Sequence, residues 1–159
     1  IHHHAQAIEM SQLVPERSTT APIRILAARI INAQQDEIAT MQRWLRDRGQ
    51  PVPELHVMED RVMVMGAGEH GAHGGHMPGM LSPAQMDQLR AATGTAFEKL
   101  FLEFMIQHHK GAVLMVHTLF ATDGAGQDED AFRVASDVQV DQQTEIARME
   151  SMLAEMDED

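Results

Sequence analysis

The side chains best equipped for chemistry in this chain are its 13 methionines and 10 histidines, and cysteine is absent. Without thiolates, thioether and imidazole are the donors left for soft or borderline metals. Their spacing follows a helix. Met105, His108, His109, Ala112 and Met115 stand three and four residues apart, so they share one stripe, with His108 and Met115 two turns apart. His3, His4, Ala7 and Met10 repeat that arrangement. Gln142, Glu145, Met149, Met152 and Met156 form a third stripe, and Gln34, Glu37, Met41 and Trp44 a fourth. Paired imidazoles buried on an apolar face cost desolvation unless each finds a partner. A metal shared with thioethers would meet that cost, with a glutamate on an adjoining helix orienting a ring N–H.

A mixed Met/His set without Cys favours copper. Thioether sulfur is soft and suits Cu(I), and by extension Ag(I), whereas imidazole also serves zinc and other divalent ions. A second candidate site lies in the glycine-rich run Gly66 to Met80, where His70, His73, His76, Met77 and Met80 are interspersed. Histidine ligation predicts that affinity falls as pH drops through about 6.5, because imidazole must be neutral to bind. The plainer alternative is that the Met stripes are core filler or a partner-binding face of a structural helical bundle, and that the loop is a solvated linker.

Catalysis finds less support. No Glu or Asp has His three residues later, as a di-iron carboxylate bundle would need. H-E-x-x-H, G-x-S-x-G and the phosphate-binding G-x-x-x-x-G-K-[ST] are also absent. His117, Glu98 and Glu103 could do acid-base work, but their spacing does not single them out. The expectation is a binding protein, not an enzyme.

These side chains must be positioned by helices. The periodicity predicts four: one up to Val14 that stops at Pro15, one from Thr20 to Arg48 capped by Gly49, one from Ser82 to Ala121 with a bend at Gly94, and one from Asp128 to Met156. Ser82-Pro83-Ala84-Gln85 reads as a capping box with proline in the first turn. Between them, residues 50–81 hold Pro51, Pro53, a short alternating piece from His56 to Met65 and the Gly/His/Met run. An internal repeat organises the whole. Ile1-x-His3-His4-x-x-Ala7-x-x-Met10 matches Ile106-x-His108-His109-x-x-Ala112-x-x-Met115, and Gln34-Gln35-x-Glu37-Ile38-Ala39-x-Met41 matches Gln142-Gln143-x-Glu145-Ile146-Ala147-x-Met149. The expected architecture is all-α: a four-helix bundle of two repeated helical hairpins, 1–49 and 82–159, joined by the 50–81 linker.

Length and composition bound the partners. At 159 residues the chain is one ordinary domain or two fused half-domains. Aromatics at 4% argue against a β-sandwich or barrel. A formal charge of -12 makes nucleic acid a poor partner, and no apolar run is long enough for a membrane span. The chain opens inside a helical pattern without a starting Met, so upstream residues carrying an export signal are expected. No oligomeric state is read from the sequence.

The long pattern Met80-Leu81-Ser82, Leu89-x-x-Ala92-x-Gly94-x-x-Phe97-Glu98-x-x-Phe101-Leu102-x-x-Met105-Ile106-x-His108-His109-x-Gly111-Ala112-x-x-Met115, followed by Gln142-Gln143-x-Glu145-Ile146-x-x-Met149, resembles family 305 of the domains of unknown function. Residues 1 to about 48 resemble a second, tandem copy lacking its start. The resemblance implies a ferritin-like four-helix bundle in periplasmic, secreted or membrane-anchored proteins, some similar to periplasmic copper-binding proteins. It puts the family's metal motif on Met105, His108, His109 and Met115, and in the first copy on His3, His4 and Met10. Glu98 stands where the family commonly has Asp. The function expected is sequestration or delivery of Cu(I) outside the cytoplasm, with another copper protein as the partner that receives or supplies the ion.

Overall fold

The computed structural model describes residues 1–58, 61–66, 77–125 and 127–158, and is mostly helical with one small sheet. The elements are α1 (His2–Gln12), α2 (Val14–Arg17), α3 (Ala21–Asp47), β1 (Glu54–Val57), β2 (Val62–Met65), α4 (Pro83–Ala91), α5 (Gly94–Ala121) and α6 (Glu129–Asp157). Helix α1 packs along α3 and α5 along α6, while α1 also touches α5 and α3 touches α6.

Local chemistry explains the boundaries. Pro15 does not end a helix. It opens the single turn α2, where a missing N–H costs nothing. Pro22 does the same for α3, whose residues Ile23, Leu26, Ala27, Ile30, Gln34 and Ile38 form the buried stripe. The capping box at α4 is formed: the Ser82 hydroxyl accepts from Gln85 N at 3.2 Å and Gln85 Oε1 accepts from Ser82 N at 2.9 Å. The helix expected from Ser82 to Ala121 is broken in two. Ala92 and Thr93 are extended, and Gly94 begins α5 at φ +58°, a left-handed conformation that glycine adopts without strain. Asp128 caps α6 and ties it to the end of α3: its carboxylate accepts from Ala131 N at 2.9 Å and Trp44 Nε1 at 3.0 Å, and pairs with Arg48. Those donors hold its carboxyl at about 2.

The main core cluster gathers Met10, Phe97, Phe101, Leu102, Met105 and Met149 with aliphatic residues of α1, α3 and α4, and a smaller one joins Val116 of α5 to Ala135 and Val138 of α6. The alternating piece at 54–65 forms an antiparallel hairpin, an addition to the all-helical expectation. Its register pairs Glu54 with Met65, Leu55 with Val64, His56 with Met63 and Val57 with Val62. It rests on α1, where Glu9 accepts from Val62 N at 3.2 Å.

Candidate metal centre

Helices α1 and α5 bring together the two histidine pairs that stand 105 residues apart in sequence. The His3 and His108 rings lie 3.8 Å apart between centroids, tilted by 34°. His4 sits 6.3 Å from His3 and His109 sits 6.0 Å from His108, centroid to centroid. All four are buried, and His108 is 1% exposed. Burial, reinforced by the neighbouring imidazoles, pushes the His108 pKa well below 6.5, and drives His3 and His4 down to about 3. Near neutral pH those three rings are therefore uncharged, the form a metal requires.

Each outer histidine faces a glutamate. His109 Nε2 donates to Glu145 Oε2 at 2.6 Å, which leaves Nδ1 as the lone-pair nitrogen, buried with no partner. His4 Nε2 lies 2.7 Å from Glu37 Oε2 but out of line for a directed hydrogen bond, so neither group is satisfied. That contact is not an ion pair. His4 is neutral, while burial, with the Glu145 charge second, raises Glu37 to about 7. His108 is similar: neither ring nitrogen makes a well-formed hydrogen bond, although the His3 backbone lies near enough to oppose slightly the fall of its pKa. Unpartnered buried polar atoms cost about 1–3 kcal/mol each, so this cluster retains unused bonding capacity.

A segment of the linker closes over the cluster. His3 Nε2 donates to the Pro78 carbonyl at 3.1 Å, and Gln6 holds Leu81 at both backbone groups, at 3.1 and 2.8 Å. Gly79 turns at φ +78°, and its backbone lies directly on α5: a Cβ at Gly111 would sit 2.0 Å from the Pro78 oxygen and 2.6 Å from the Gly79 Cα. Two glycines thus permit a backbone-to-backbone approach that no other residue allows.

The methionines of the candidate site separate into two groups. Met10, Met105 and Met149 are fully buried in the core cluster. Met41, Met77 and Met115 line an open cavity of about 590 Å³, shared with His2, His3, His4 and Trp44. His70, His73 and His76 lie outside the described residues. Sequence reasoning passed over His2, whose buried Nε2 has no partner, and the Pro78 carbonyl; adjacency to His3 was the only sequence signal for the former. Gln34, placed on a stripe but not in the site, is buried with neither amide atom bonded. Among the described residues no three His, Asp or Glu side chains converge as a metal site, and the thioethers at the cavity are the further soft donors near the imidazoles. The donor set fits a soft ion: lone-pair nitrogens on His108 and His109 lie within the same cluster as His3, and three thioethers face the cavity that His3 and His4 line.

Two solved structures resemble the chain over nearly its whole length. One, from Streptomyces coelicolor, is described as a candidate secreted DUF305 protein; it is 30% identical with a TM-score of 0.75, covering 97% of this chain and 86% of that one. The other, a DUF305 fragment from Deinococcus radiodurans, is 31% identical with a TM-score of 0.74, covering 96% and 89%. CopM in its Cu(II)-bound form is 25% identical with a TM-score of 0.69, covering 97% of this chain and 90% of CopM. The Cu(I)-bound form, at 23% and 0.68, shares the fold. No curated protein matches the chain. The sequence profile of the domain of unknown function DUF305 matches residues 1–153 in a single run across both halves, one domain-sized region. The chain belongs to the DUF305 family.

Proposed function

We propose that this protein binds copper, with Cu(I) as its preferred cargo, through the interior His/Met cluster, for sequestration or delivery outside the cytoplasm, and that it is a binding protein and not a catalyst. One observation carries the reading: His108 is buried against His3 with neither ring nitrogen in a well-formed hydrogen bond and only the His3 backbone as a near polar neighbour, in a cluster whose cavity is lined by Met41, Met77 and Met115. A protein that needed those rings only for packing would leave their polar atoms at a loss. Copper bound in CopM, a protein of the same fold, supports the choice of metal, and the secreted description of the Streptomyces relative supports the compartment.

In this reading His3, His108 and His109 supply nitrogen and Met115, Met77 and Met41 supply sulfur. Glu145 fixes the His109 proton on Nε2 and so turns Nδ1 toward the ion. Glu37 lies as close to His4 but out of line, so it leaves that ring unoriented. The two halves of the chain contribute equivalent His–Glu pairs, as two repeated hairpins would. Zinc is disfavoured, because a thioether-rich set suits a soft ion. For Met10, Met105 and Met149 the plainer role is favoured: they are core packing, since they sit among Phe97, Phe101 and Leu102.

The test is a Cu(I) competition titration against a chromophoric chelator, following the single Trp44, which lines the same cavity. Tight binding with quenching of Trp44, abolished in His3→Ala/His108→Ala while helicity is kept, is the expected result. Absence of tight binding by the wild type, with Cu(II) and Zn(II) also weak, would leave the stripes as core and cavity wall only.

A further inference from the structure

We infer that the outer face of the β1–β2 hairpin is a second, solvent-facing site for Cu(I), separate from the interior cluster and built from the thioethers of Met58, Met63 and Met65 with the imidazole of His56. The argument starts from alternation. In β2 the residues alternate Val62, Met63, Val64, Met65, and the valines are half-buried while Met63 and Met65 are 48% and 52% exposed. In β1 the half-buried residue is Leu55, and His56 is exposed. Successive side chains on a strand point to opposite faces, and residues paired across an antiparallel ladder share a face. The register opposes His56 to Met63 and Glu54 to Met65, so imidazole and thioethers occupy one surface. Met58 continues β1 two residues beyond His56, its N donates to the Arg61 carbonyl at 2.8 Å, and it is 55% exposed.

The choice of residue is what needs explaining. The solvent face of a two-stranded sheet ordinarily carries polar side chains, and Met has no special preference for strands. Here the inward positions hold β-branched or branched aliphatic residues suited to strand packing, with Val57 at the strand end 51% exposed, and the outward ones hold Met three times together with His56 and Glu54. Directly opposed residues have Cβ atoms about 4.5–5.5 Å apart, and sulfur on a flexible stem closes the rest of the gap. Thioether and imidazole without thiolate select a soft monovalent ion over Zn(II) or Mg(II). The end charges have opposite sign, Arg61 beside Met58 and Glu54 opposite Met65. An exposed site of this kind would exchange its ion with solvent or a partner far faster than the buried cluster.

The test uses the full chain labelled with ¹³C at the methionine methyl groups, titrated with Ag(I) as a stable stand-in for Cu(I). Resonances are assigned by Met58→Leu, Met63→Leu and Met65→Leu, exposed positions where Leu keeps volume and polarity. The expected result is that the three hairpin methyls shift together, and that Met63→Leu or His56→Gln weakens the response of the other two by tenfold or more, without altering the Met115 shift. Hairpin methyls that stay put overturn the inference, whatever Met115 does. So do responses of Met58 and Met65 that survive Met63→Leu unchanged, which would mark the methionines as independent exposed thioethers and not one site. A failed interior site shows separately, as a motionless Met115.

Discussion

The His4–Glu37 and His109–Glu145 pairs occupy matching positions in the two halves of the sequence, yet they differ as chemistry. His109 and Glu145 share a directed hydrogen bond at 2.6 Å. His4 and Glu37 are as close, at 2.7 Å, without the alignment to bond. In the His4–Glu37 pair burial opposes both charges: it drives His4 down to about 3 and raises the half-buried Glu37 to about 7. Proximity of an acid and a base therefore does not make an ion pair when burial penalises both charges. One half carries an imidazole oriented by its glutamate, the other an imidazole that is not.

The comparison breaks most completely if the imidazoles themselves are removed. His108→Ala/His109→Ala should lower Cu(I) affinity by more than the roughly 10–100-fold that removing a ligand's hydrogen-bond partner costs, as read by chelator competition. Glu145→Gln should fall within that range of about 10–100-fold, and Glu37→Gln should lower affinity by a smaller factor. Equal losses in the two glutamine variants would mean that alignment does not distinguish the pairs.

Gly111→Ala addresses what lies over both pairs. A methyl there meets the Pro78–Gly79 backbone, and overpacking of this kind costs about 1–3 kcal/mol, measured by urea unfolding. Because the strap carries Met77 into the cavity, Cu(I) affinity should fall as well, whereas Gly124→Ala, with open space around it, should spare affinity.

The smallest effect is the pH dependence of the metal-free protein. Folding holds His3 and His4 far below 6.5, so the unfolded chain takes up protons first, and stability declines as pH falls from about 6.5 toward 3. Glu37 acts in the opposite sense. Its pKa is raised from 4.5 to about 7, so its contribution is full below pH 4.5 and is lost as pH rises through 7. Glu37→Gln should remove only the second trend, giving a profile that climbs from about pH 3 to 6.5 and stays level above it. A wild-type profile that is flat from pH 4 to 7 and unchanged by this substitution would contradict the burial argument.

Much of the site could be read from residue order. The histidine pairs met because helices α1 and α5 each place them on a core-facing stripe, and the repeat pointed to both. Glu37 and Glu145 were legible for the same reason. The separation of the methionines was not. Met105 and Met115 lie on one stripe of α5, but the core cluster envelops the first and the open cavity receives the second. Helical periodicity reports a direction around the axis, not what lies opposite each turn.

Sequence by itself determined the helical periods, the capping box at Ser82, the Met/His donor composition without cysteine and the two matched His–Glu pairs, since each rests on side-chain type and local spacing. Tertiary structure alone decided which pair is aligned, which thioethers face the cavity, and that Pro78 lies against Gly111. It also decided that His56 opposes Met63 across a hairpin. Those outcomes depend on the relative placement of segments distant along the chain, and on burial that shifts proton affinities only once the surrounding helices have closed.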